Sequence, residues 1–188
     1  KSKITQVIIS DYGKGFINKK SLKIIFKILK NKKIIVDPDK NKNISDYKGC
    51  YIMTPNLLEF NEMSNLQASN SNDSIEKNLK LVKNKNKNKL KNLVITRSHM
   101  GNSAIFENNK ISHFNDTSKK EVYDVSGAGD TFVSILAKGI SLNRDLRSIL
   151  ILANNCCSYV ISKKNTQPIR LSEFKYELKK LDKSKKKS

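Results

Sequence analysis

Asp124-Val125-Ser126-Gly127-Ala128-Gly129-Asp130-Thr131 is the stretch that decides how this sequence is read. It follows a β-branched, aromatic entry, Val122-Tyr123. It precedes an apolar run at helical spacing, Phe132, Val133, Ile135, Leu136 and Ala137. The octet therefore reads as a strand-to-helix turn. Small residues at 126–129 let the backbone turn tightly and approach a ligand closely. The N–H groups of the first helical turn have no intrahelical acceptors and sit at the positive end of the dipole. Such a turn is a site for an anion, phosphate above all. Asp130 places a carboxylate inside it. As a bystander that charge repels the phosphate which the amides attract. As a general base on an attacking hydroxyl it stands where phosphoryl transfer needs one. The plainer alternative is a glycine-softened turn with an N-capping aspartate.

Outward from this turn the chain alternates strand and helix. Ile4 to Ser10 reads as a buried strand, ending in Asp11-Tyr12-Gly13-Lys14-Gly15 and followed by Leu22, Ile25, Phe26 and Leu29 at helical spacing. Ile34-Ile35-Val36 is stopped by Asp37-Pro38. Tyr51-Ile52-Met53-Thr54 is stopped by Pro55-Asn56 and leads into a helix through Leu57, Phe60 and Met63. Ser71 to Asp73 can cap a helix carrying Ile75, Leu79 and Val82, which dissolves into Lys83-Asn84-Lys85-Asn86-Lys87-Asn88-Lys89. Leu93 to Thr96 is a fourth strand. Ala104 to Phe106 and Ile111 to Phe114 flank Asn108-Asn109 as a hairpin. The central turn and its helix follow, then a helix from about Arg144 to Ile161, and a weak amphipathic helix with a Lys-rich tail from Phe174 to Ser188. This order indicates an α/β fold with a mostly parallel sheet and helices on both faces. Ligands in such folds sit beyond the carboxyl ends of the strands. Asp11, Asp37, Asn56, Glu59, Thr96 and Asp130 are all read as lying just after strand ends.

Composition removes several classes. The 188 residues suffice for one domain, with a hydrophobic fraction of 37%. No run of about 18 apolar residues exists to span a membrane, and no secretory pattern opens the chain. The formal charge of +20 suggests nucleic acid, but the lysines are spread along the chain with abundant Asn. Arginine is confined to Arg97, Arg144, Arg147 and Arg170, and no aromatics interleave the basic run as a stacking platform would. The bias reads as compositional, so no specific nucleic-acid partner and no membrane partner is expected. Cys50, Cys156 and Cys157 form no disulfide framework, and a reducing cytoplasm suits them. His99 and His113 lack metal-ligand spacing.

Asn56 and Glu59 lie on one face of a first helical turn. Asn as cap with Glu three residues on is a capping-box pattern, and a structural duty is a full alternative to a functional one. Lys14 is open to the same plain reading, a strand followed by a β-turn.

The octet resembles the Asp-x-x-Gly-Ala-Gly-Asp motif of the PfkB (ribokinase-like) sugar kinases, and Asn56-Leu57-Leu58-Glu59 is similar to their Asn-x-x-Glu motif. The resemblance implies a ribokinase-like three-layer αβα sandwich using ATP and Mg²⁺. It implies Asp130 as the base and the Gly127, Ala128 and Gly129 amides as an anion hole. Asn56 and Glu59 organise Mg²⁺ and the phosphates, with Glu59 on the metal side. Asp124 supports the turn or the cation. Thr96 and Gly101 match Thr-x-Gly-x-x-Gly, with Ser98 where the family has its first glycine, and Asn154 borders the adenine. Ser10-Asp11-Tyr12-Gly13-Lys14-Gly15, Thr96-Arg97-Ser98 and Val36-Asp37-Pro38 resemble the subgroup that phosphorylates heptose 7-phosphate. Asp11 and Lys14 are then the substrate residues. Asp39 stands where that subgroup has lysine, with Lys40 beside it, and Ser162-Lys163-Lys164-Asn165-Thr166 lacks the family's glycine.

The implied function is phosphorylation of D-glycero-D-manno-heptose 7-phosphate at the anomeric oxygen, an early step towards lipopolysaccharide heptose. The competing readings are another PfkB kinase, acting on ribose, fructose or a nucleoside, and a non-catalytic basic protein on a degenerate kinase fold. Residues 1–173 match the C-terminal portion of the family's domain and 174–188 read as a separate Lys-rich tail. The family's N-terminal part and lid are expected to be missing from the sequence, which suggests an incomplete chain. No His-x-Gly-His motif is present for an adenylyltransferase. A sugar phosphate and ATP are the expected partners, and a homodimer is compatible with the sequence.

Overall fold

The computed structural model describes residues 4–86, 89–116 and 121–185. Lys87 and Asn88 of the Lys/Asn run and residues 186–188 of the tail lie outside them. The chain divides into two compact units, Lys1–His113 and Phe114–Ser188.

The described residues form one six-stranded sheet in sequential order: β1 (Gln6–Ser10), β2 (Lys33–Asp37), β3 (Ile52–Met53), β4 (Asn92–Thr96), β5 (Asn102–Ile105) and β6 (Ile111–Phe114). The first four are parallel, with Val7 opposite Ile34, Val36 opposite Met53 and Met53 opposite Leu93. β5 runs antiparallel to β4. β5 and β6 are joined by a tight turn in which Phe106 N donates to Lys110 O and Asn109 takes φ 63°, the hairpin expected at Asn108-Asn109.

Strand alternation sends Ile34, Val36, Met53, Leu93, Ile95 and Ile105 into one buried cluster with side chains from three helices. These are α1 (Lys19–Ile28), α2 (Leu57–Ser64) and α3 (Asn72–Lys85), contributing Leu22, Phe60, Met63, Ile75, Leu79 and Val82. Ile35, Ile52 and Val94, which alternate with that set, are buried as well. Such near-continuous apolar runs are what a sheet covered on both faces requires. Each fully buried Ile or Val contributes about 1.5–3 kcal/mol.

Two expectations change in this unit. β3 shrinks to two residues, because Pro55 cannot continue a ladder, although Asn56 returns to bridge Thr96. The buried strand expected from Ile4 to Ser10 is instead partly open, with Ile4 and Ile8 exposed. The helix through Ile75 ends inside the Lys/Asn run, as expected. It continues to Lys85, with Lys83 only 2% exposed. The Lys83 ammonium donates to the carbonyls of Leu90 (2.5 Å), Lys91 (2.8 Å) and Phe106 (3.2 Å).

The second unit contains α4 (Ala128–Ser141), α5 (Leu146–Ile161) and α6 (Leu171–Lys185). α4 and α5 meet at Gly139, where an added Cβ would lie 2.6 Å from Ile149 Cγ1. Asp145 caps α5 through Ser148 N. α6 begins before Phe174 and is tied to its neighbours. Glu177 accepts from Asn155 Nδ2 (2.8 Å) and Tyr159 Oη (3.3 Å), and Arg144 forks onto Asp182. Val122-Tyr123 is not a strand: Tyr123 N and Asp124 N both donate to Ile161 O at the end of α5. The entry to the turn is thus held by a helix terminus instead of a ladder, and Asp130 does not follow a strand. No helix of the described residues is long and apolar enough to cross a membrane.

Candidate active site

The candidate residues divide between the two units. In the first, parallel pairing brings the carboxyl ends of β1 to β4 to one edge. Asp11 N donates to Asp37 O (2.9 Å), Thr54 N to Val36 O (3.0 Å) and Thr96 N to Pro55 O (3.0 Å). Asp11, Asp37, Asn56 and Thr96 therefore share that edge, as their positions after the strands imply.

Asp11 is buried there in a polar cluster of its own. Its Oδ2 accepts from Tyr47 Oη (2.8 Å) and pairs with Lys42 Nζ (3.0 Å), while Oδ1 accepts from Gly13 N (3.1 Å). Lys42 Nζ also reaches Asp39 Oδ2 at 2.9 Å, and Asp39 N donates to Tyr47 Oη at 3.0 Å. Burial alone would pull the Lys42 ammonium down, but its bonds to Asp39 and Asp11 outweigh that and hold it above its usual value. Burial likewise opposes ionisation of Asp39, yet Lys42 and the Asn41 N–H keep its carboxyl below the ordinary range. The Tyr47 phenol is pushed well up, first by burial and then by the two aspartates. Asp39 thus does not leave the edge without a cation. Lys42 supplies it, while Lys40 pairs with Glu62 at 3.5 Å. Sequence reasoning missed Lys42 and Tyr47, and only the i,i+3 spacing of Asp39 and Lys42 hints at the former. Through Gly13 N, Asp11 pins the turn that carries the exposed Lys14.

Asn56 and Glu59 form a complete capping box. Asn56 Oδ1 accepts from Glu59 N (2.9 Å), and Glu59 Oε2 accepts from Asn56 N (2.7 Å). Burial, with Glu62 and Asp39 adding repulsion, raises the Glu59 pKa against the Asn56 N–H that lowers it. Lys40, paired with Glu62, offsets part of that repulsion, and a carboxylate so placed still fits a hard cation. No group of three or more ligating side chains gathers among the described residues, so magnesium here would take most of its ligands from water and phosphate oxygens. Thr96 closes β4 and Gly101 takes φ 75° two residues beyond His99, in the loop leading to β5.

In the second unit Gly127 is the N-cap of α4, in the left-handed region at φ 77° and with no side-chain cap bond. That excludes Asp130 as the N-cap. It is the third residue of the helix and exposed, with Ala128 and Gly129 before it. Thr131 N closes the first turn onto Gly127 O, so the amides of 128–130 precede the helical ladder, with Ala128 N meanwhile donating to Val125 O at 3.3 Å. Asp124 Oδ1 accepts from Ser126 N at 2.8 Å, a bond that lowers its pKa and fixes the turn ahead of Gly127. Thr166 packs against that glycine: a Cβ at 127 would lie 3.3 Å from Thr166 Cγ2. Asn154 is buried, with Nδ2 donating to Phe114 O at 2.7 Å. Cys156 is a core residue, and Cys157 Sγ sits 3.3 Å from Ala128 O.

A largely parallel sheet of this order, with an uncapped glycine turn opening a helix, places the chain in the ribokinase-like α/β class. Phosphofructokinase-2 from Escherichia coli superposes with a TM-score of 0.78 at 15% identity, over 94% of this chain and 57% of that one. Arabidopsis thaliana ribokinase, complexed with ribose and ATP, gives 0.76 at 18% identity, over 94% and 55%. The chain belongs to the pfkB family of carbohydrate kinases, which matches residues 5–172. Among curated proteins, the bifunctional protein HldE of Haemophilus ducreyi is 35% identical over 170 residues, 89% of this chain and 34% of that protein. HldE of Vibrio vulnificus is 34% identical over 171 residues, 91% and 35%. The chain spans about a third of the length of these relatives.

Proposed function

We propose that this protein transfers the γ-phosphoryl group of ATP to a sugar hydroxyl, with D-glycero-D-manno-heptose 7-phosphate as acceptor. The observation that carries the reading is the turn at Gly127. A left-handed glycine with no side-chain cap opens α4 onto its own first-turn amides, and a carboxylate stands at the third helical position. Asp130 takes the proton of the attacking hydroxyl. The Gly127, Ala128 and Gly129 amides stabilise charge on the transferring phosphoryl, a dipole effect for which Ala128 N exchanges its long bond to Val125 O. Asp124 holds the turn in shape through Ser126. Asn56 and Glu59 order Mg²⁺, which neutralises phosphate charge when bound. Thr96 and Gly101 serve the nucleotide, with Asn154 fixing the backbone at Phe114. Lys14 meets the acceptor's phosphate on the turn that Asp11 pins.

The acceptor is proposed from the resemblance of the Ser10–Gly15 and Thr96–Ser98 segments to the subgroup that phosphorylates heptose 7-phosphate, and the identity to the HldE proteins supports it. ATP-dependent turnover of the full-length protein on heptose 7-phosphate, ribose, fructose and a nucleoside is the test. Preferred turnover of heptose 7-phosphate is expected. Much faster turnover of ribose or fructose would remove the heptose assignment and leave the kinase reading standing. Salt-sensitive polyanion binding with no turnover on any acceptor would remove both.

A further inference from the structure

Ser98 sits at φ 53°, in the left-handed region that L side chains rarely adopt, at a position where a glycine would turn unaided. It lies in a tight loop between β4 and β5. Arg97 N donates to Gly101 O (2.8 Å), Met100 N to Arg97 O (3.1 Å) and Gly101 N to Ser98 O (2.9 Å). A strained residue persists only where its surroundings over-determine it, and the neighbour at 97 does so here. The Arg97 side chain is 1% exposed, the largest fully buried side chain among the described residues.

Its guanidinium is gripped by neutral groups from separate elements. Nε donates to Asn70 Oδ1 (2.8 Å) and Nη2 to Asn70 O (2.6 Å), in the connection between α2 and α3. Nη1 donates to Asn72 Oδ1 (2.7 Å) at the start of α3 and to Ser103 Oγ (2.8 Å) on β5. The Ser103 hydroxyl then gives its own proton to His113 Nδ1 (2.8 Å), which leaves Nε2–H to donate to Glu76 Oε1 (3.2 Å). This proton arrangement is assigned from the network. Burial lowers the Arg97 pKa, but a guanidinium stays charged in proteins. Its planar fork makes the contacts directional, which a lysine ammonium cannot reproduce.

We infer that Arg97 is a positioning residue for the nucleotide. Its fork clamps the 97–101 loop in the left-handed turn at Ser98, so that Thr96 and the loop backbone are preset for ATP without a glycine at 98. The inference rests on the kinase reading above.

The test is direct ATP affinity, by calorimetry, of the full-length parent, Arg97→Lys and Arg97→Lys/Ser98→Gly, with turnover and melting temperature measured alongside. Arg97→Lys is expected to weaken ATP binding about tenfold or more, as loss of directional bonds to a charged group implies. The turnover number at saturating ATP should fall much less. Ser98→Gly should return most of the affinity, because glycine takes the turn unaided. It should do so without restoring the melting temperature, which separates positioning from stability. If Arg97→Lys does not fold, Asn72→Ala serves instead. It deletes one acceptor from an exposed residue and should weaken ATP binding a few-fold, again recovered by Ser98→Gly. A folded Arg97→Lys or Asn72→Ala protein with parental ATP affinity, or a loss that Ser98→Gly leaves untouched, overturns the inference alone. A parent that binds no ATP overturns the kinase reading and the inference with it.

Discussion

Asn56 and Glu59 hold each other by two reciprocal bonds, Glu59 N to Asn56 Oδ1 at 2.9 Å and Asn56 N to Glu59 Oε2 at 2.7 Å. One carboxylate thus serves as helix cap and as proposed magnesium organiser, and the two duties are separable by substitution. Glutamine at the third position keeps the cap acceptor but loses the charge. Glu59→Gln is expected to melt as the parent does, while turnover at limiting Mg²⁺ falls roughly 10–10²-fold, the scale for residues that hold a metal through its outer shell. Glu59→Ala should also lose the bond from Asn56 N, at a cost of about 0.5–1.5 kcal/mol, while Asn56 still caps the backbone N–H at 59. Parental Mg²⁺ dependence in Glu59→Gln would confine Glu59 to the cap.

Asp130→Asn preserves shape and removes the base. Turnover should fall about 10²–10⁴-fold, while ATP affinity holds or tightens because a negative charge has left the anion turn. Gly127 is the N-cap, so capping by Asp130 offers no competing account of a loss. Activity within a few-fold of the parent would eliminate Asp130 as the base.

Lys42 lies between Asp11 and Asp39 at 3.0 and 2.9 Å. Lys42→Met strands two buried carboxylates and should cost about 3–5 kcal/mol, with Asp39→Asn in the same chain recovering part of it. The pH dependence has a definite sign. Asp39 is held below its usual 3.8, so its contribution is present above that value and lost as pH falls through the lowered one. Lys42 is held above 10.5, so its contribution is present below that value and lost as pH rises through the raised one. Denaturant melts of parent and Lys42→Met should therefore differ by a constant amount between those limits and converge beyond them.

Gly139→Ala tests the α4–α5 seam. The new methyl group would stand 2.6 Å from Ile149 Cγ1 and 2.8 Å from Cγ2. Overpacking costs about 1–3 kcal/mol, which exceeds or cancels the roughly 1 kcal/mol that alanine gains over glycine in a helix. A melt of Gly139→Ala should therefore show no gain in stability, and a double-mutant cycle with Ile149→Ala should show the two sites coupled.

What the sequence disclosed was local. The capping box at Asn56 is a three-residue spacing, the hairpin turn at Asn108-Asn109 is a dipeptide, and the core strands are short apolar runs. Long-range partners left no such mark. Tyr47 finds Asp11 at a separation of 36 residues, and Arg97 finds Asn70 at 27. The apolar content of Val122-Tyr123 suggests a strand, but a strand is defined by what pairs with it, and here the N–H groups of Tyr123 and Asp124 go to Ile161 O. Composition also treated the lysines alike, whereas Lys42 and Lys83 sit inside the protein and Lys14 outside.

Lys83 has a consequence of its own. Burial lowers its pKa, a shift that lasts only while the side chain stays enclosed. Its three carbonyl acceptors, on Leu90, Lys91 and Phe106, hold it as the ammonium, with no lone pair to offer, and its burial keeps reagents out. Acylation of Lys83 therefore has to wait for the end of α3 to part from the start of β4 and the hairpin. In a chain crowded with fast-reacting surface lysines, its labelling rate is an internal clock for the opening of the first unit.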